Sequence, residues 1–267
     1  MTELLDIISP LFVPANRPER FEKAAASGAD AVILDLEDAV PVEAKQQARA
    51  ALRSGFGSVL VLVRINGAET AWHDEDLSAV IALRPAAVIV PKAEDPDGLS
   101  RISHQLGPDT GVIALVETAL GLARAQQIAT APGIARLAFG SIDFCADIGC
   151  AHTRDALLHA RSTLVLASRL GGLPAPLDGV TTDINDPSVA KSDARHAREL
   201  GFGGKLTIHP RQIDPIRTGF MPDEAEIAWA HKVLASGDGA AAVDGAMVDE
   251  PVRIRARSIL ARANPGS

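Results

Sequence analysis

The chain has 267 residues, 34 Asp and Glu against 26 Lys and Arg, and a formal charge of −8; 47% of it is hydrophobic and 22% charged. That balance is too apolar for intrinsic disorder. With aromatics at 3%, no Tyr and a net negative charge, it also lacks the basic surface and stacking rings of a nucleic-acid binder. No apolar run approaches the ~20 residues that cross a bilayer, and the opening MTELLDIISP carries an acid where a secretory signal has its basic region. The expectation is a soluble cytoplasmic protein with no membrane partner. Cys145 and Cys150 are too few for a disulfide framework, and both are read as reduced.

In chain order, short Val/Ile/Leu-rich runs alternate with helical patterns at intervals of roughly 25 residues. The predicted strands are Leu11–Val13, Ala31–Leu36, Val59–Ile65, Ala87–Val90, Val112–Val116, Ala135–Phe139, Leu177–Thr181 and Lys205–Ile208. The predicted helices between them are Pro18–Ala26, Val42–Ser54, Asp74–Leu83, Pro96–Leu106, Thr118–Thr130, Thr153–Leu170, Pro187–Leu200 and Pro210–Thr218. Several open on Pro and close on Gly, as Pro187 and Gly201 do. Runs such as AVILDL and VIALVE have no polar face, the habit of parallel strands covered by helices on both sides. Eight such units predict an α/β fold, a (β/α)8 TIM barrel over residues 1–220. Residues 221–267 hold two further helical patterns, Pro222–Leu234 and Pro251–Ala263, separated by the Gly/Ala/Asp stretch Gly237–Gly245. This C-terminal extension is expected to pack on its own barrel or on a neighbouring subunit.

In a parallel barrel the C-terminal strand ends form the active face. The polar residues at those ends are Asp35, Glu37, Arg64, Asn66, Lys92, Glu117, Asp143, Asp183 and His209. Any one of them alone is more simply read as a helix cap or an ion-pair partner, and Glu117 has the simple alternative of neutralising Arg64. Together they make a charged rim that calls for a ligand or metal. Glu117 and Asp143, on adjacent strands, suit Mg²⁺, which needs one or two carboxylates and takes water and substrate oxygens for the rest. The seven histidines show neither HxH nor HExxH spacing, which disfavours zinc. Arg17 and Lys23, after the first strand, fit either phosphate binding or a solvated helix face. Glycine-rich nucleotide loops are absent, and Ser141 lies in GSID rather than in a nucleophile elbow.

The segments VPANRPERFEKAAASGADAVILDLEDAV, LVRING, VPKAE, ALVETALGLA, LAFGSIDFCADIG, TIHPRQ and GAMVDEP occur in order along nearly the whole chain. Together they resemble the citrate lyase β-subunit-like branch of the HpcH/HpaI aldolase superfamily. The resemblance implies a Mg²⁺-dependent carbon–carbon lyase with a TIM barrel. Its substrate would be a small-molecule 3-hydroxyacyl thioester of coenzyme A, of malyl, citramalyl or citryl type, cleaved by a retro-Claisen route to an acyl-CoA and a keto acid. By the same resemblance Glu117 and Asp143 hold the metal and Arg64 is catalytic. Phe12, Arg17 and Lys23 bind the coenzyme A nucleotide, and Asp249 is a catalytic acid from the C-terminal segment of an adjacent subunit. Glu37 and Asp38 would orient metal-bound water. A homo-oligomer is implied, a trimer favoured. Two other functions share these residues: the β-subunit of a citrate lyase complex acting on a citryl-acyl-carrier-protein thioester, and a class II aldolase of free hydroxy-keto acids.

Overall fold

The computed structural model describes residues 4, 6–237 and 241–263. The chain divides into two compact units, residues 1–217 and 218–267.

The first unit is built on one sheet of eight strands in sequential order, all paired in parallel. The strands are β1 (Leu11–Pro14), β2 (Ala31–Asp35), β3 (Leu60–Arg64), β4 (Ala87–Val90), β5 (Gly111–Val116), β6 (Ile134–Phe139), β7 (Leu177–Asp178) and β8 (Gly204–Lys205). The sheet closes on itself. Phe12 N–H donates to the Thr207 carbonyl at 2.8 Å, Thr207 N–H to Pro10 at 2.9 Å and Lys205 N–H to Ile8 at 2.7 Å, and Leu11 bridges Thr207 in parallel. The α/β barrel predicted from the alternating runs is the fold observed.

Around it lie α1 (Phe21–Ala25), α2 (Lys45–Ala50), α3 (His73–Leu83), α4 (Pro96–Leu106), α5 (Ala119–Ala123), α6 (Ala125–Thr130), α7 (Ser141–Ile148), α8 (Arg154–Leu170), α9 (Pro187–Leu200) and α10 (Ile213–Phe220). α4 and α9 span the predicted residues. Each has an Asp N-cap, Asp95 or Asp186, accepting a backbone N–H, and Pro in its first turn. The predicted Val42–Ser54 helix is a 3₁₀ turn (Val42–Ala44) followed by a six-residue α2. The predicted Thr118–Thr130 helix breaks at Arg124 into α5 and α6; the Arg124 side chain donates to the Glu94 carbonyl at 3.0 Å. α7 lies in a segment that carries no long apolar period and is bracketed by Gly140 and Gly149.

β2, β4 and β5 are buried along their whole length, as strands between a filled interior and a helical coat must be. The interior is filled by alternate residues: Ala31 and Ile33, Leu62, Ala87 and Ile89, Ile113 and Leu115, Ala138, Leu177 and Leu206. Leu4 and Ile7 join this cluster. Arg136, 1% exposed, donates from Nη1 to the carbonyls of Leu4 (3.0 Å) and Ile7 (2.9 Å) and from Nε to Ala175 (2.8 Å). It thereby ties the N-terminal segment to the barrel.

β7 and β8 are shorter than predicted; beyond β7 side chains take over from the ladder. Gln212 Nε2 donates to the carbonyls of Thr181 (2.7 Å) and Asp183 (3.1 Å), leaving these groups unavailable to a neighbouring strand. Asp178 is fully buried between Lys205 Nζ (2.9 Å) and Arg161 Nε (2.8 Å).

The second unit contains α11 (Glu224–Ala235), β9 (Ala241–Val243), β10 (Ala246–Val248) and α12 (Glu250–Ala263). Asp223 and Glu226 form a reciprocal capping box at the start of α11. β9 and β10 pair antiparallel through Asp244 and Gly245, both at positive φ (50° and 82°), the hairpin geometry that Asp-Gly favours. Ala230, Val233, Val248, Ala256 and Ile259 form the unit's own apolar cluster.

Burial opposes the charged form of Asp178, but Lys205 and Arg161 outweigh it and hold its pKa below the ordinary carboxylate value. Its contribution to stability is therefore complete above the unfolded-state pKa and is lost as pH falls through the folded one. Asp178→Ala, which strands two buried cations, is expected to cost about 3–5 kcal/mol in urea unfolding at neutral pH.

Candidate active site

The inward parity of the barrel strands continues past the apolar core into polar residues. Two places beyond Ile33 comes Asp35, two beyond Leu62 comes Arg64, two beyond Leu115 comes Glu117, and two beyond Ala138 comes Gly140. These positions, with Phe12, Asp38, Ser141, Asp143 and the apolar wall of Val180, Leu206 and Ile208, line a cavity of about 390 Å³.

Asp35 and Arg64 are register partners at the ends of β2 and β3. Their pairing is bidentate, Nε to Oδ1 and Nη2 to Oδ2, both at 2.7 Å. Asp35 also accepts the N–H groups of Glu37 (3.0 Å) and Ala39 (3.1 Å), which folds the following loop back over the strand end. That fold brings Glu37 Oε2 to 2.9 Å and Asp38 Oδ2 to 3.3 Å from Arg64 Nη1. The guanidinium lies 4.8 Å over the Phe12 ring. Burial works against the charge on Arg64, but Asp35, Glu37 and Asp38 outweigh it and raise its pKa. Arg64 is thus neutralised by the β2 loop and not by Glu117.

Glu117, 3% exposed, accepts the Lys92 N–H at Oε1, 2.8 Å away. Lys92 reaches it from a left-handed conformation, φ 45°, a strained state for a residue with a side chain. Its ammonium turns instead to Glu69 at 2.7 Å. The other oxygen of Glu117 occupies the space above Gly140, where a Cβ would stand 2.3 Å from Oε2. Glycine is required there to admit the carboxylate. One residue later α7 begins, carrying Asp143 in its first turn. Ser141 Oγ lies 2.9 Å from His152 Nε2.

Asp35, Asp38, Glu117 and Asp143 thus line the cavity with Arg64 as the one cation among the lining residues, and Glu37 reaches that same guanidinium. Burial pushes the Glu117 carboxyl up to about 7, against the Lys92 N–H and with help from Asp143. Burial likewise pushes Glu37 to about 8 despite Arg64. Asp143 is raised by burial and by Asp38. Among the described residues no group of three His, Cys, Asp or Glu is disposed around one ion. Two hard carboxylates on a cavity short of positive charge fit Mg²⁺, which completes its shell with water and substrate oxygens.

The other predicted residues lie elsewhere. Asn66 is buried between Lys45 Nζ (2.7 Å) and Asp76 (2.6 Å). Asp183 accepts two N–H groups of its own turn, and His209 caps the 3₁₀ turn Pro210–Gln212. Arg17 is exposed and paired with Glu19 at 2.7 Å; Lys23 is exposed on α1. Neither lines the cavity, whereas Phe12 does. In the second unit, Asp249 accepts the Val252 N–H at 3.3 Å, a cap at the start of α12. Gly140 and the Val180–Ile208 wall were missed by the sequence reading. Strand parity, counted outward from the apolar core, would have found Gly140.

The family described as HpcH/HpaI aldolase/citrate lyase matches residues 9–210. A citrate lyase subunit beta-like protein of Mycobacterium tuberculosis is 41% identical over 264 residues, 95% of this chain and 94% of that protein. A (3S)-malyl-CoA thioesterase of Cereibacter sphaeroides is 33% identical, with 96% and 94% covered. The crystal structure of CitE from Mycobacterium tuberculosis in complex with magnesium, acetoacetate and coenzyme A superposes with a TM-score of 0.87 at 40% identity, covering 97% of this chain and 98% of that one. The chain belongs to the HpcH/HpaI aldolase/citrate lyase family, a lyase family, within its citrate lyase β-subunit-like branch.

Proposed function

We propose that the protein is a Mg²⁺-dependent carbon–carbon lyase that cleaves or forms a 3-hydroxyacyl-CoA thioester of malyl, citramalyl or citryl type, with an acyl-CoA and a keto acid as the other side of the reaction. The observation that carries this reading is the convergence of Glu117 and Asp143 with the Asp35-anchored Arg64 on one cavity. Relatives bound to magnesium, acetoacetate and coenzyme A support it.

Glu117 and Asp143 would hold the ion, with Gly140 and the Lys92 N–H fixing the Glu117 carboxylate. Magnesium bound there supplies Lewis-acid polarisation of the substrate oxygens. Arg64 is held rigid by Asp35 below and Phe12 beside it. The second N–H of Nη2 is left for the oxygen on which negative charge develops as the bond breaks. Phe12, stacked on Arg64, lines the cavity and, with Arg17 and Lys23 outside it, would bind the coenzyme A nucleotide. Asp249, contributed by an adjacent copy, would hand a proton to or from the enolate carbon. The protein is read as a cytoplasmic homo-oligomer, a trimer favoured. Among the described residues no helix is long and apolar enough to cross a membrane.

The resemblance to a malyl-CoA thioesterase makes hydrolysis the second reading. A screen of malyl-, citramalyl- and citryl-CoA with Mg²⁺ separates them: keto acid released with the CoA ester intact is cleavage, while free coenzyme A released with the hydroxy acid is hydrolysis. Absence of a keto acid from every thioester would overturn the proposal. Arg64→Lys keeps the charge but loses the fork, and is expected to lower kcat by ~10²–10³ in the same assay. Because a proton on Glu117 competes with the ion, Mg²⁺ affinity measured by calorimetry is expected to rise between about pH 6 and about pH 8 and level off above, with proton release on binding below that range. Glu117→Gln and Asp249→Asn are each expected to be inactive alone and to regain activity when the two variants are co-assembled, the signature of an acid delivered between copies.

A further inference from the structure

Cys145 and Cys150 have no part in the chemistry above. α7 ends in a left-handed turn at Gly149, φ 72°. The N–H groups of Gly149 and Cys150 both donate to the Cys145 carbonyl, at 2.9 and 3.1 Å. This closure places the side chain two positions past the helix against the one that opens its last turn, a contact ordinarily made by two apolar groups. Here both are free thiols, with Cys150 Sγ 3.5 Å from Cys145 Sγ. Cys145 is 8% exposed and Cys150 is half-buried. The backbone bond already holds the two residues together, so a disulfide needs the sulfurs to close only about 1.5 Å.

We propose that Cys145 and Cys150 form a reversible dithiol–disulfide site that reacts with hydrogen peroxide. The Cys150 sulfur, the more accessible, attacks one peroxide oxygen. The O–O bond breaks, giving a sulfenic acid on Cys150 and one water. The Cys145 sulfur then attacks the Cys150 sulfur; the S–S bond forms and the sulfenic oxygen leaves as a second water, carrying the Cys145 proton. The two thiols together lose two electrons and two protons to the peroxide, and a dithiol reductant restores them. The disulfide would staple the far end of the helix whose first turn carries Ser141 and Asp143.

The test uses the full-length protein treated with hydrogen peroxide, alkylated and digested with trypsin. The expected product is a peptide carrying both cysteines, lighter by two hydrogens, resistant to alkylation and returned to two alkylatable thiols by dithiothreitol. In Cys145→Ser the sulfenic acid has no resolving thiol and is expected to take up the sulfenic-acid probe dimedone at least ~10-fold more than the wild type. Two cysteines still alkylated after peroxide, a disulfide between chains, a Cys150 sulfinic acid beside a free Cys145, or equal dimedone labelling of wild type and variant would each overturn the proposal.

Discussion

The two-residue period of the barrel strands is the constraint from which the site follows. A strand that sends Ala31 and Ile33 into the barrel must send Asp35 the same way, and one that sends Leu62 inward must do so with Arg64. Changing inward apolar residues to polar ones at the last position converts a packed interior into a reactive floor without altering the backbone. The charges that arrive there cannot be hydrated as on a surface. Each is answered locally: Arg64 by the carboxylates of the β2 loop, Glu117 by a backbone N–H and by the space above Gly140.

That arrangement keeps cationic and anionic functions apart although they share a cavity. Had Arg64 been neutralised by Glu117, the carboxylate would have been lost to metal binding. Instead Asp35 takes two donors of the guanidinium and Glu37 and Asp38 crowd a third nitrogen. The excess of acid over base that remains is the electrostatic condition under which a hard divalent ion is favoured.

Much of this was legible in the sequence because it rests on patterns that survive without tertiary context. Unbroken apolar runs disclosed β2, β4 and β5, and Pro openings with Gly closures disclosed α4 and α9. Placing polar residues at strand ends was enough to put Arg64, Glu117 and Asp143 at one rim. It was not enough to say where each side chain turns. Lys92 and Glu117 both follow the apolar run of their strands, yet the backbone of Lys92 serves the site, from a left-handed φ that the sequence does not display, while its ammonium leaves it. Asn66, Asp183 and His209 were drawn into caps and buried networks by neighbours far along the chain or just after them. β7 fell short where a glutamine side chain, not a strand, satisfies the carbonyls of Thr181 and Asp183.

Arg136 gives the barrel an asymmetry that reaches beyond stability. By binding the carbonyls of Leu4, Ile7 and Ala175 it corks the end opposite the cavity, and the packed apolar layers above it leave no passage through the axis. Traffic is therefore single-ended. Whatever binds on the floor must depart by the doorway through which it entered, so where two molecules share the cavity the order in which they leave is set by their depth.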